Sequence, residues 1–361
     1  MNDALRILHV IRSDAFAGVE RHVANLAAAQ ARAGHRVRVV GGDLTSMRTA
    51  LAGHSVPVAP ASTVPAAALA AYRVSRSGSR PDVVHAHMTA AETAATLVPT
   101  LRDVPLVATR HFARRRGSSP LARRVGNVVA ARIDAQVAIS DYVADRIDGW
   151  STVVYPGVPV RDATTGPRRR IVLVVQRLEP EKSTDVAVRA FAASGLAAHG
   201  WTMEIAGDGS QRPHLEALAG DLGTWASTRF LGGRSDCPDL MDQASVLLAP
   251  CAVDGLGLSV LEAMSGGLCV VAAAAGGHLE TVGRADAPHL FTPGDPDDAA
   301  RRLCAVADDP EAAREHGLAL RAVQREHFTL DAQVAGTLAV YRAVLDDRAR
   351  CAATLGRTTL T

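Results

Sequence analysis

Asp254-Gly255-Leu256-Gly257-Leu258-Ser259-Val260-Leu261-Glu262-Ala263-Met264 is the stretch that decides the fold. A β-rich run, Ser245–Ala249, precedes it, and another, Cys269–Ala273, follows. Between them a glycine-rich turn opens into a short apolar helix. Strand, glycine turn, helix and strand form the repeating unit of a parallel α/β sheet. The two carboxylates, Asp254 and Glu262, stand eight residues apart. That layout suits a nucleotide-activated sugar, with one acid accepting hydroxyls at the sugar end and the other at the ribose end. Backbone N–H groups of the turn and the helix start can face the diphosphate between them. Gly276-Gly277 and Glu280 follow closely. Packing alone does not require acids at both ends of such a turn.

The same alternation extends in both directions. Upstream, strands are expected at Arg6–Ile11, Arg36–Gly41, Asp82–His87, Leu106–Thr109, Ala135–Ile139 and Thr152–Tyr155. Helical periodicity fills Val19–Ala33, Ala90–Leu101, Leu121–Ile133 and Asp141–Ile147. The run Pro159-Val160-Arg161-Asp162-Ala163-Thr164-Thr165-Gly166-Pro167 breaks the pattern and reads as a linker. A second series then begins, with strands at Arg170–Val175, Thr202–Ala206, Arg229–Leu231, Ser245–Ala249, Cys269–Ala273 and His289–Phe291. Two Rossmann-like halves facing across a cleft are expected, with ligands at the carboxyl ends of the strands. The expected domains are residues 1–160 on the acceptor side and 161–335 for the nucleotide sugar. Residues 336–361 would form a C-terminal helix packing back on the first domain, and a loosely ordered tail after Arg348.

Bulk properties agree with this plan. The chain of 361 residues is 48% hydrophobic and 21% charged, enough for two cores. A net charge of only +2 gives no global case for nucleic acid. Five cysteines at irregular spacings, none in a C-x-x-C pair, argue for a reduced cytosolic protein without a zinc ribbon. The first strand begins almost at Met1, and no apolar run approaches the length of a membrane span, so a cytoplasmic location is expected.

Several residues carry candidate chemistry. Arg177 and Lys182 follow the first strand of the second half, where a guanidinium fork and an ammonium point charge suit phosphate. Gly18, between the first strand and first helix, permits close approach of the backbone to a phosphate. His111 follows a buried strand and could donate to a sugar hydroxyl or line the reaction centre, although by itself it reads better as a plain surface histidine. His85 and His87 alternate on one strand and point to one side. They lack further ligands at metal spacing, so a structural or acceptor-side role is expected. Asp295-Pro296-Asp297 has the form of a metal-binding D-x-D, but a helix N-cap with acids in its first turn explains it fully. Cys251 and Cys269 read as small buried hydrophobes. Arg110, Arg114, Arg115, Arg116, Arg123, Arg124 and Arg132 form a basic run that reads as a solvated face or, alternatively, a contact with an anionic acceptor or membrane surface.

Taken together, these residues resemble the retaining glycosyltransferases of family 4, which have the two-domain GT-B fold. The resemblance runs from Gly18-Val19-Glu20-Arg21 to Phe328 and Tyr341. The family's E-x7-E appears as Asp254 to Glu262, its R-x4-K pair as Arg177 and Lys182, and its turn after the third strand as Phe230-Leu231-Gly232. The resemblance implies that Arg177 and Lys182 neutralise the departing diphosphate, with the Gly18 backbone approaching the same phosphates. It gives Glu262 the ribose and Asp254 the donor sugar hydroxyls. Leu231 and the backbone of Gly255, Leu256, Gly257, Leu258 and Ser259 complete the donor site, and His111 lies near the reacting carbon. It further implies a hexosyltransferase that uses no metal and no other cofactor. The expected donor is a nucleoside-diphosphate sugar, UDP favoured, and the acceptor a small molecule or lipid-linked. Two positions depart from the family: Asp254 stands for a glutamate, and Ala17-Gly18 for two glycines. The shortened acid supports one alternative, a catalytically silent glycosyltransferase-like partner protein; the alternative among enzymes is a GT-B nucleotide-sugar epimerase.

Overall fold

The computed structural model describes residues 4–78, 80–117, 119–164 and 166–358. It divides into two compact units, one of residues 1–157 with 330–361 and the other of residues 158–329.

Among the described residues, the first unit holds seven strands: β1 (Arg6–Ile11), β2 (Arg36–Val40), β3 (Val58–Ala59), β4 (Val83–His87), β5 (Leu106–Arg110), β6 (Ala135–Ala138) and β7 (Thr152–Val153). They form one sheet in the order β3-β2-β1-β4-β5-β6-β7, and every pairing is parallel. The direction of winding reverses between β1 and β4. A parallel sheet covered on both faces needs continuous apolar strands, and β1, β4 and β5 are buried along almost their whole length. The stretch between β2 and β3 carries a short helix. Asp43 accepts a hydrogen bond from the Ser46 amide at 2.8 Å and starts the helix Leu44–Ala50. A further helix, Val64–Arg76, starts at Thr63, whose Oγ1 accepts from the Ala66 amide at 3.3 Å.

The second unit holds β8 (Arg169–Val175), β9 (Thr202–Ala206), β10 (Thr228–Gly232), β11 (Ala244–Ala249), β12 (Cys269–Ala273) and β13 (Leu290–Phe291). Their order, β10-β9-β8-β11-β12-β13, is again all parallel and reverses between β8 and β11. One core of Val172, Val174, Phe191, Met203, Ile205, Val246 and Leu248 lies against the sheet. The α/β architecture of two Rossmann-like units is therefore the one expected.

Three boundaries differ from the expectation. The second unit ends at Thr329 rather than 335, because Leu330, Val334, Leu338 and Tyr341 already lie in the core of the first unit with Ile7, Val23 and Leu26. The final helix runs from Leu330 to Thr358, so the chain beyond Arg348 continues as helix rather than loose tail, with residues 359–361 outside the described set. Arg348 also anchors it, donating to Asp134 at 2.7 and 2.9 Å. The stretch read as a linker is tied down as well, with Thr165 outside the described residues. Arg161 donates to Asp242 at 2.5 Å, Thr164 to the same carboxylate at 2.8 Å, and Arg168 to the Met241 and Ala244 carbonyls.

Candidate functional site

In the second unit, the switch between β8 and β11 gathers the residues singled out by the sequence. Lys182 follows β8 and Asp254 follows β11, and Lys182 Nζ donates to Asp254 Oδ2 at 2.8 Å across 72 positions of sequence. Both side chains are largely covered, at 17% and 23% exposure. Burial alone would raise the Asp254 carboxyl, but Lys182 and then His278 outweigh it and hold it below its usual range. Burial works against the charged form of Lys182 too, and Asp254 more than compensates, leaving its ammonium above its ordinary value. The pair is thus ionised in the free protein. Arg177 sits beside it on the same turn, half exposed and bound to Glu181 at 3.0 Å.

Two glycines set the shape of this end of the sheet. At Gly277 a Cβ would lie 2.3 Å from the Leu256 Cα and 2.6 Å from the Gly255 carbonyl, so the loop after β12 can rest on the 254–256 turn only without a side chain. The Gly277 amide donates to the Asp254 carbonyl at 2.9 Å and holds the two loops together. At Gly207, with φ +154°, a Cβ would lie 1.8 Å from the Gln176 carbonyl, which fixes the exit of β9 beside that of β8. The helix Leu258–Ser265 then begins at Gly257 and carries Ser259 and Glu262, both half-buried. Gly255, Leu256 and Gly257 are buried, while Leu258 and Leu231 are half-buried. His278, which sequence reasoning passed over, is buried here. Its Nδ1 lies 3.2 Å from the Ala273 carbonyl. Its only signal was its place immediately after the glycine pair Gly276-Gly277.

The suspected D-x-D does cap a helix. The Asp295 carboxylate accepts from the amides of Asp297 and Asp298 at 3.0 Å, and Asp298 accepts from the Thr292 amide at 2.7 Å. Cys251 and Cys269 are both buried. Cys269 lies beside His289 and His316, with its Sγ 3.4 Å from His316 Nδ1, and burial pushes its thiol up to about 12.

In the first unit, Gly18 is exposed at the start of the helix Gly18–Arg32, where the Glu20 carboxylate accepts from the Ala17 amide at 2.9 Å. His111 is not a surface histidine but is 6% exposed. It closes a cluster that no local pattern reveals. His85 and His87 on β4 meet His9 on β1, with His9 opposite His85 in register. His22 and His111 complete the group. His9 lies 3.0 Å from His87, and His87 lies 3.1 Å from His111. Sequence reading found no partners for His85 and His87 because those partners arrive from distant strands and a helix. Two triplets, His9/His85/His87 and His22/His87/His111, place ligand atoms within 4.8 Å of one another. The nitrogens of His9, His85 and His87 are already engaged in hydrogen bonds with protein groups.

Burial drives all five imidazoles toward neutrality, to about 4 for His9 and about 3 for His22, with His85, His87 and His111 well below their ordinary range. The sign of the linkage follows. Above about pH 6.5 these groups are neutral both folded and unfolded. Below it the unfolded chain takes up protons that the fold refuses, so stability falls as pH falls, by roughly 1.4 kcal/mol per pH unit for each histidine. His35, His278, His289 and His316 are lowered as well and act in the same direction. Urea unfolding at pH 7.5, 6.5 and 5.5 is expected to show a steep loss of stability across that range. A flat profile would contradict neutral burial of the cluster.

The basic run is thinner than its sequence implies. Arg116 is buried and paired with Glu92 at 2.7 Å, Arg110 is buried against Asp148 at 3.2 Å, and Arg132 is spent on Asp134 and the carbonyls of Leu101, Arg102 and Val104. Arg114, Arg115, Arg123 and Arg124 stay exposed. A cavity of about 500 Å³ in this unit is lined by Arg6, Arg36 and Pro81 at the amino ends of the strands, away from the switch point.

Comparison with known proteins agrees with the geometry. Residues 161–321 match the family described as Glycosyl transferases group 1, and residues 16–162 match Glycosyltransferase Family 4. The chain is 31% identical to the D-inositol 3-phosphate glycosyltransferase of Salinispora arenicola over 320 residues, covering 74% of this chain and 70% of that protein. The chain belongs to the glycosyl transferases of group 1. It is also 31% identical to the 2-deoxystreptamine glucosyltransferase of Streptomyces kanamyceticus over 256 residues, which span 67% of this chain and 65% of that one. Among solved structures, Anabaena HepE in complex with UDP and glucose superposes with a TM-score of 0.78 at 21% identity, covering 93% of this chain and 99% of that one. These likenesses establish the GT-B fold. Among the described residues, no helix of this glycosyltransferase is long and apolar enough to cross a membrane.

Proposed function

We propose that this glycosyltransferase moves a hexose from a nucleoside-diphosphate sugar, with UDP favoured, to a small-molecule or lipid-linked acceptor, with retention at the anomeric carbon. The Lys182–Asp254 pair at the switch point carries this reading. Two buried, mutually stabilised charges are costly to assemble, and a fold gains little stability from them over apolar side chains. Here they stand where a Rossmann-like sheet receives its ligand. Lys182 and Arg177 would meet the diphosphate, and the negative charge developing on it is then stabilised by cations already in place. Asp254 would pass from Lys182 to sugar hydroxyls as the phosphates engage the ammonium. Glu262, one helix turn beyond the glycine loop, would accept the ribose hydroxyls. The backbone from Gly255 to Ser259, with Leu231, would line the donor, and Gly18 and His111 are the first unit's candidates for it.

No metal is required in this scheme. Lys182 and Arg177 supply the cationic charge that a divalent ion gives other transferases, and the D-x-D acids are committed to a helix start. The solved relative's UDP-glucose complex supports the choice of donor by analogy. The family placement of Arg177, Lys182 and Glu262 favours transfer over epimerisation or a silent partner role.

A panel of nucleotide sugars tested by thermal shift examines this reading, because a ligand that binds only the folded state raises its melting temperature. UDP-sugars are expected to raise it in metal-free buffer with chelator present. A shift with GDP-sugars alone would overturn the choice of base, and a shift that needs a divalent ion would overturn metal independence.

A further inference from the structure

The histidine cluster of the first unit has a direction. Tyr341 Oη lies 2.6 Å from His85 Nδ1 and 3.5 Å from Gln30 Nε2. With the His85 proton on Nε2, toward Thr109 Oγ1 at 2.6 Å, His85 Nδ1 is the acceptor for the phenol proton, which an amide NH2 cannot take. The Tyr341 oxygen then accepts from the Gln30 amide NH2, which turns Gln30 Oε1 toward His9 Nε2 at 2.7 Å. His9 must therefore carry its proton on Nε2 and accept at Nδ1. His87 Nε2, 3.0 Å away, must donate to it, so His87 Nδ1 accepts in turn. His111 Nε2, 3.1 Å from that nitrogen, must donate as well. With every ring neutral and His85 protonated on Nε2, each further step leaves one assignment. The amide orientation of Gln30 is thus transmitted through two imidazoles to a third.

We infer that Gln30, His9 and His87 are positioning residues that lock His111 into the Nε2–H tautomer, leaving Nδ1 as a hydrogen-bond acceptor for a hydroxyl of the bound sugar. His111 makes no hydrogen bond through Nδ1 among the described residues, and that nitrogen is not among the fully buried unpaired atoms. The assignment reverses the expectation from sequence that His111 donates. A neighbouring histidine supplies an internal contrast. Gln333 Oε1 accepts from the Gly157 amide at 2.9 Å, which turns its NH2 to His22 Nε2 at 3.2 Å. His22 therefore carries its proton on Nδ1, opposite to His9, His87 and His111. A site built to accept from a hydroxyl discriminates against an analogue that cannot donate. This consequence rests on the donor-sugar reading above, whereas the tautomer assignment does not.

The test is long-range proton–nitrogen NMR of protein labelled with 15N-histidine at pH 7.5, assigned with single histidine variants. His9, His87 and His111 are expected to show Nε2–H and His22 Nδ1–H. His111 with its proton on Nδ1 in the wild-type protein would overturn the inference without any variant being needed. In Gln30→Met, checked for folding by thermal melting, His111 is expected to become a mixture of tautomers, and Gln30→Glu, which still accepts from His9, is expected to restore Nε2–H. A folded Gln30→Met protein with His111 unchanged would overturn the relay. On the activity side, fluorine in place of one sugar hydroxyl is expected to lower kcat/KM about tenfold in the wild type and to have little effect in His111→Ala. Tautomers as assigned in a protein that turns over no nucleotide sugar would support the relay and reject the donor reading.

Discussion

Lys182→Ala is expected to reduce hydrolysis or transfer of the nucleotide sugar by about 10²- to 10³-fold in kcat, the loss seen when one preorganised charge is removed from a transition state. Two effects add. The ammonium that would meet the departing diphosphate is gone, and Asp254, bound to it at 2.8 Å in the free protein, is left as an unpaired anion facing the same phosphates. Lys182→Arg should recover only part of the activity, because a planar fork does not replace a point charge held at one carboxylate oxygen. The double variant Lys182→Ala/Asp254→Asn separates the two effects. It should bind UDP better than Lys182→Ala alone, yet turn over no faster than the loss of the ammonium permits. Steady-state release of UDP, with binding measured separately, checks both. Full kcat in a folded Lys182→Ala protein would remove Lys182 from the mechanism.

Glu92→Ala is expected to cost the first unit about 3–5 kcal/mol, the usual penalty for leaving a buried charge without its partner. Glu92 is 0% exposed and Arg116 only 3% in their side chains. The contact is bidentate, with Arg116 Nε to Glu92 at 2.7 Å and Nη2 to Glu92 at 3.0 Å, while Gln136 accepts a third bond at 2.7 Å. Asp148 closes the cage around Arg116. Burial would raise its carboxyl, but the Arg116 and Arg110 bonds hold it at about 2. This cage anchors the loop that starts at His111, so the variant should also weaken sugar binding at temperatures well below melting. Replacing Glu92 and Arg116 together with leucine should destabilise less than Glu92→Ala, because the buried pair is removed as a whole and Asp148 keeps Arg110. Urea unfolding monitors the change, and a loss below about 1 kcal/mol would show that Arg116 is satisfied by Asp148 and Gln136 alone.

The parts legible in the sequence were those in which one local pattern carries the physics. Strands β1, β9 and β12 fell at their expected residues because runs such as Cys269–Ala273 must be apolar to lie inside a parallel sheet. The motif after β11 was legible because its glycines and acids are close in sequence. Short elements were not: β3 spans only Val58–Ala59, too brief for any periodicity, and the core-facing stripe of the helix Val64–Arg76 is made mostly of alanine, Ala67 and Ala71 being its buried residues. Longer-range order was hidden altogether. Arg110 and Arg116 look like members of an exposed basic run until Glu92, Gln136 and Asp148 arrive from other elements. The histidine cluster likewise draws on two strands, a strand end, the first helix and Tyr341 of the last helix. His85-Ala86-His87 showed that two imidazoles share a face, and nothing near them in sequence shows what that face meets.

Calorimetric titration of UDP into the metal-free protein tests the donor site most directly. The account predicts one saturable site per chain, weakened at least tenfold by Lys182→Ala and independent of added magnesium. No saturable binding, or equal binding by the folded Lys182→Ala protein, would contradict it.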